Sequence, residues 1–222
     1  LEFVHTDVCG PMPEASQGGN KYFITFIDDY SRMIWMYFMK EKSDVFAIFK
    51  KFQQYVERQS GYLLKVLRSD RGGEYNSNEF DKFCNEVGLG RQLTVGYTPQ
   101  QNGVAERKNR TIEEMMKAMI HERALPMKFW AEAANTAVYL LNRCPTKALA
   151  EVTPLEAWSG RKPSVNHLKV FGCICYSHIP KQRRRKLEKT SEKCIFVGYS
   201  SKSKGYRLYS LVKNEVIICR DV

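Results

Sequence analysis

The chain has 222 residues, 43% of them apolar and 27% charged, a composition that supports one good core or two smaller ones and excludes a disordered chain. Its longest uninterrupted apolar run is seven residues, Met33 to Met39, far short of a membrane-spanning helix, and no signal-peptide pattern is visible. The net charge of +11 is uneven: Lys+Arg against Asp+Glu is 20 to 20 over residues 1–160 and 15 to 4 over residues 161–222, which points to a polyanion partner docked by the tail.

Residues 3 to 9 read as a first strand that starts at once, as in a segment of a longer polypeptide. Gly10-Pro11-Met12-Pro13 and Gly18-Gly19-Asn20 then break the pattern before a strand pair, Tyr22 to Ile27 and Met33 to Met39, joined by the turn residues Asp28-Asp29-Tyr30-Ser31. From Ser43, the candidate N-cap, Val45, Ile48, Phe49, Phe52, Tyr55 and Val56 recur at helical spacing up to Gly61. A strand from Leu63 to Leu67 runs into Arg68-Ser69-Asp70-Arg71-Gly72-Gly73, and a short helix opens near Asn76 and stops near Gly88.

Leu93 to Val95 is a further short strand. Thr98-Pro99-Gln100-Gln101 has capping-box form, but Asn102-Gly103 weakens a helix there, so the regular helix is expected from about Asn102, with Ile112, Met115, Met116, Met119 and Ile120 as its buried stripe. Helical runs over Met127 to Leu141 and Pro154 to Trp158 follow, then four strand-like segments, Val170 to Tyr176, Cys194 to Tyr199, Tyr206 to Tyr209 and Val216 to Cys219. The order predicts an α/β mixed sheet with an antiparallel start and a βαβ continuation, followed by a small β-barrel.

Seven cysteines, an odd number without CxxC spacing, indicate reduced thiols in an intracellular protein. Cys173, Cys175, His178 and Cys194 have zinc-ligand chemistry at irregular spacing. Cys173 and Cys175 alternate along an apolar strand, so they read as small buried hydrophobes and no structural zinc is expected.

Three carboxylates occupy places where folds put chemistry. Asp7 lies within the first strand, Asp70 at the carboxyl end of the fourth, and Glu106 near the start of a helix, bordering its sheet-facing stripe. Singly, each has a plainer account as a turn residue or a helix-dipole acid. If the first and fourth strands are neighbours the three converge, and each unit-charge pair at about 4 Å then costs roughly 4 kcal/mol at an effective dielectric near 20. Two hard divalent cations, Mg²⁺ or Mn²⁺, remove that cost and serve an in-line phosphoryl displacement. The cations after Glu106 would hold the polyanion.

HTDVCGP around Asp7, LRSDRGGEY around Asp70 and YTPQQNGVAERKNRT around Glu106 resemble the three motifs of the retroviral and retrotransposon integrases, the DDE family. Asp70 and Glu106 enclose 35 residues, counted as 106 minus 70 minus 1, the separation of that family's signature. KFWAEAANTAVYLLNRCPTKAL, TPLEAWSG, VFGCICY, KCIFVGYS and KGYRLYS resemble the integrase region of copia-type LTR retrotransposon polyproteins, most like those of plants. Val95-Gly96 before Tyr97 departs from the commoner Ala-Pro.

The resemblance implies an RNase H-like catalytic core over residues 1–165, with a helical extension from about residue 126, and a basic SH3-like domain over 166–222. It also implies metal-dependent 3′-end processing of element DNA and strand transfer into a chromosome by a polynucleotidyl transferase, with Asp7, Asp70 and Glu106 as both catalytic residues and ligands of two Mg²⁺ or Mn²⁺ ions. Gln101, Asn102, Arg107, Lys108, Arg110, Lys117, Lys181, Arg183, Arg184, Arg185 and Lys186 are the candidate DNA contacts. A homo-oligomer of at least two copies, an upstream zinc module, a downstream reverse transcriptase, and passage from a cytoplasmic particle to the nucleus are further expectations. Two other readings stand beside it. One is a decayed or domesticated remnant that binds nucleic acid without catalysis. The other is an RNase H-type nuclease, for which Glu57, late in the first helix, is the one extra acid on offer.

Overall fold

The computed structural model describes residues 1–93, 102–201 and 203–220. Strands β1 (Phe3–Cys9), β2 (Tyr22–Asp28), β3 (Ile34–Met39), β4 (Val66–Ser69) and β5 (Gly90–Leu93) form one sheet in the order β3-β2-β1-β4-β5. The first three strands run antiparallel, and β4 and β5 add on in parallel beside β1. Between them come helices α1 (Val45–Ser60) and α2 (Asn78–Glu86).

The apolar code of β2 explains the layering. Its side chains are buried on both faces, as expected of a strand covered on two sides. Ile24 and Phe26 join Val45, Phe49, Phe52 and Val56 of α1 in one core, where Phe26 stacks on Phe52 with centroids 4.0 Å apart. Phe23 and Ile27 point the other way, into a core built with α3 (Gly103–Glu122) and α4 (Trp130–Leu141). The helical spacing of the α1 residues and the left-handed Gly61 that caps it, φ 76°, follow the sequence pattern.

Several boundaries move for identifiable reasons. A 3-10 turn, Lys42–Asp44, precedes α1, and its reciprocal cap is made by Glu41 and Asp44 rather than by Ser43. The fourth strand starts at Val66, not Leu63, because the Leu64 N–H donates to the Glu57 Oε1 at 2.9 Å instead of to a neighbouring strand. Helix α2 is capped by Ser77, whose Oγ accepts from the Phe80 N–H at 3.1 Å. The 94–95 part of the expected fifth strand and the Thr98–Gln101 capping box lie outside the described residues.

After the short helix α5 (Pro154–Ser159), β6 (Ile174–His178), β7 (Ser191–Tyr199), β8 (Tyr206–Ser210) and β9 (Glu215–Cys219) form a separate antiparallel sheet in chain order. Its two outer strands approach each other where Ser177 Oγ and Cys219 Sγ lie 3.3 Å apart, so the sheet curls towards the expected barrel. Gly172, at φ 79°, delays β6 to Ile174. The sheet is docked on α4: Arg207 makes a two-pronged ion pair with Glu132, at 2.7 and 2.5 Å, and Tyr199 stacks on Tyr139 with centroids 4.1 Å apart. Phe171, Val197 and Tyr209 thereby enter the same core as Trp130 and Ala137.

Candidate active site

Strands β1 and β4 are direct parallel neighbours, paired Phe3 with Val66, Val4 with Leu67 and His5 with Arg68. Two residues further along each strand direction stand Asp7 and Asp70. Asp7 still pairs with Thr25 of β2, while Asp70 has just left β4 and begins a turn in which its Oδ1 accepts the Gly72 N–H at 3.0 Å. The condition that the sequence left open, adjacency of the first and fourth strands, is therefore met.

The third carboxylate comes from α3, which packs across β1 and β2. Glu106 sits in its first turn with Asn102 as the cap, and its side chain is exposed. One helical turn on, Asn109 is buried, and its Nδ2 donates to Asp7 Oδ2 at 3.0 Å. Thr25 Oγ1, also buried, donates in turn to Asn109 Oδ1 at 2.8 Å, which fixes the orientation of the amide. Beyond it Cys9 Sγ donates to Glu113 Oε1 at 2.7 Å, beside a cavity of about 380 Å³ walled by Pro11, Met12, Met116 and Met127.

The electrostatics show that the acids press on one another. Burial first, then the negative charge of Asp70 and, less strongly, that of Glu106, push the Asp7 carboxyl from 3.8 up to about 7, although the Asn109 hydrogen bond works in the opposite direction. No three His, Cys, Asp or Glu side chains among the described residues close to the distances of a formed ion site. An oxygen-only set with unrelieved negative charge nevertheless suits a hard divalent cation in its chemistry.

The candidate DNA contacts divide. Arg107, Arg110 and Lys117 are exposed on α3, with the Arg107 guanidinium folded over Gly103 and Lys117 Nζ 3.9 Å from Glu113. Lys108 is half-buried, its pKa lowered by that burial and by Arg32. Asn102 is 1% exposed, held inside the helix start rather than presented at the surface. Gln101 lies outside the described residues. In the tail, Lys181, Arg185 and Lys186 are exposed and Arg184 is half-buried between β6 and β7, and Arg183 closes a 3-10 turn. Cys175 and Cys194 face each other across β6 and β7 inside the small core, with Cys173 packed against it, and all seven cysteines are free thiols.

Glu57, the extra acid of the nuclease reading, is engaged by the Leu64 N–H and by Gln53 Nε2 at 3.1 Å. Asn109 and Thr25 were not singled out from the sequence. The signals were there: Asn109 stands three residues after Glu106 on the same helix face, and Thr25 is a polar residue in an otherwise apolar strand.

A five-stranded mixed sheet with one carboxylate within a strand, a second just past the end of the parallel strand beside it and a third on the crossing helix has the architecture of an RNase H-like integrase core. Residues 1–99 match the family described as integrase core domain, and residues 173–222 the family described as retroviral polymerase SH3-like domain, together about two thirds of the chain. Residues 1–99 thus carry an integrase core domain, with a retroviral SH3-like domain behind it over residues 173–222. It is 52% identical over 222 residues to the retrovirus-related Pol polyprotein from transposon TNT 1-94 of Nicotiana tabacum, and 35% identical over 206 residues to that from transposon RE2 of Arabidopsis thaliana. It spans 100% and 93% of itself in these matches but only 17% and 14% of those relatives.

Among solved structures, a chain of the simian T-cell lymphotropic virus intasome in complex with PP2A regulatory subunit B56 gamma shares the fold at TM-score 0.56 and 13% identity, covering 98% of this chain and 75% of that one. The HTLV-2 integrase catalytic core domain in complex with magnesium matches at TM-score 0.51 and 18% identity, covering 70% of this chain and 95% of that one.

Proposed function

We propose that this chain is the integrase segment of a copia-type LTR retrotransposon polyprotein, acting as a polynucleotidyl transferase with endonuclease character. It trims nucleotides from the DNA ends of the element and then presents the new 3′-hydroxyl to a phosphodiester of chromosomal DNA. The observation that carries this reading is the placement of Asp7 on β1, of Asp70 just past the end of the parallel strand β4 and of Glu106 in the first turn of α3, which packs across β1. The half-buried Asp7 carboxyl is pushed up to about 7 by burial and then by the two other charges, a repulsion that a bound cation relieves at neutral pH.

Asp7, Asp70 and Glu106 would hold Mg²⁺ or Mn²⁺, two ions per site. When bound, these would supply an activated attacking oxygen and charge neutralisation at the leaving oxygen. Asn109 fixes the Asp7 carboxylate. Arg107, Arg110 and Lys117 take the backbone of the DNA along the exposed side of α3, while residues 166–222 form a second, basic docking unit behind a core of residues 1–165. Joining two DNA ends calls for at least two copies of the chain. The DNA substrate places that act in the nucleus, downstream of a cytoplasmic particle in which a zinc module and a reverse transcriptase belong to the same polyprotein.

With Mn²⁺ the chain is expected to join a labelled duplex end to plasmid DNA. Glu106→Gln, at an exposed position, should keep its fold and join nothing detectable. Joining by that variant at the native rate would reject the assignment. A native chain that joins nothing yet still binds DNA would instead favour the decayed remnant.

The tail has its own test. Replacing Arg183, Arg184 and Arg185 together by glutamine should reduce the slope of log affinity against log salt by about 2 to 3, at roughly 0.9 per phosphate contact, in anisotropy titrations with duplex DNA. An unchanged slope would move the docking surface elsewhere.

A further inference from the structure

Successive residues of a strand face opposite sides of its sheet, and β1 uses both. Asp7, paired with Thr25, faces α3; Thr6, paired with Phe26, faces the layer of α1 and α2. On that second face the hydroxyls of Thr6 and Tyr75 share a hydrogen bond at 3.0 Å across 69 residues of sequence, with Thr6 0% and Tyr75 1% exposed. The aromatic ring alone would serve the packing, since Tyr75 meets Phe80 edge-on within an apolar cluster. A buried hydroxyl is costly unless it is paired. The pair therefore adds a specific tie where a phenylalanine and a valine would add only volume.

What it ties is the segment that carries Asp70. Gly72 and Gly73 follow Asp70 and supply little stiffness of their own. The 3-10 turn Gly73–Tyr75 then closes with the Tyr75 N–H donating to the Gly72 carbonyl at 3.0 Å. The Tyr75 carbonyl accepts from Arg91 Nη2, and the Arg91 guanidinium also pairs with Asp81 and lies 4.7 Å over the Phe80 ring. Both ends of Tyr75 are thus fixed, its backbone to β5 and α2 and its hydroxyl to the residue next to Asp7.

The geometry points to Tyr75 as a positioning residue that sets the separation of Asp7 and Asp70 through Thr6. This rests on the proposed carboxylate site and adds to it a residue that touches neither substrate nor ion. Asn109 holds Asp7 from the α3 face, and the Thr6–Tyr75 pair holds the same strand from behind while anchoring the far end of the Asp70 turn.

The test is Mn²⁺ binding to the 222-residue chain by titration calorimetry, without DNA and well below the unfolding temperature of every variant. Tyr75→Phe and Thr6→Val should each weaken Mn²⁺ binding about tenfold, in the range expected when a partner that orients a ligand is lost. Thr6→Ser keeps the hydroxyl and should restore native affinity, and the double variant Tyr75→Phe/Thr6→Val should be no weaker than either single one, because both remove the same bond. Native affinity in Tyr75→Phe, or losses that multiply in the double variant, would overturn the positioning role. Asp70→Asn separates the two levels: if it too binds Mn²⁺ as the native chain does, the carboxylate site itself fails and the positioning role goes with it.

Discussion

Asp7→Asn is expected to make the metal-free chain more stable at pH 8 while abolishing DNA joining. The folded chain holds the Asp7 carboxyl at about 7 against 3.8 for the free group, through burial and then the Asp70 and Glu106 charges. Between those two values the folded state keeps a proton that the unfolded state has released, so stability falls as pH rises through that window, and the full cost is present above about 7. The gap converts to at most about 4 kcal/mol. Asparagine does not titrate and its Oδ1 can still accept from Asn109 Nδ2, so most of that cost disappears in the variant. Urea unfolding with a chelator present checks it: the variant midpoint should exceed the native one at pH 8, and the difference should shrink towards pH 4. A lower midpoint at pH 8 would sink the account of Asp7 as a destabilising acid kept for chemistry.

The same cluster shows which parts of the site sequence patterns carry. Asp7, Asp70 and Glu106 were visible because a carboxylate in a strand, at a strand end and in a first helical turn each stands out locally, and their spacing is specific. The helical periodicity of α1 and of the Ile112–Ile120 stripe is equally local. The supports of the site are not. Asn109 reads as one more polar residue in a charged helix, and its partners Thr25 and Asp7 lie 84 and 102 residues away. The bond between Thr6 and Tyr75 exists only because β1 and the turn after β4 share a layer. Such pairs depend on tertiary register, which no single segment encodes. The late start of β4 has a similar origin, because a side chain, Glu57, takes the amide that a strand pattern would assign to a neighbouring strand.

Gly198→Val tests how the small sheet is attached to the core, with an expected loss of about 3 kcal/mol or more from backbone strain and overpacking together. In a regular strand Phe196 and Tyr199 would face opposite sides; the bulge between Phe196 and Gly198 shifts the phase so that both enter the small core, while Val197 reaches the core shared with α4. Gly198 makes that shift at φ 141°, and a Cβ there would come within 2.7 Å of the Thr136 Oγ1 on α4. Thr136 is 2% exposed and its hydroxyl donates to the Val197 carbonyl at 3.4 Å, so it has no room to withdraw. Gly198→Ala should lose less than valine, and adding Thr136→Ala should recover part of the alanine loss by removing the clashing oxygen, leaving the backbone strain. In hydrogen exchange, protection should fall first in β7 and along the α4 face that carries Glu132 and Thr136, since the Glu132–Arg207 ion pair spans the same seam. A Gly198→Val chain that unfolds at the native urea midpoint would mean that the sheet is not held against α4 at this point.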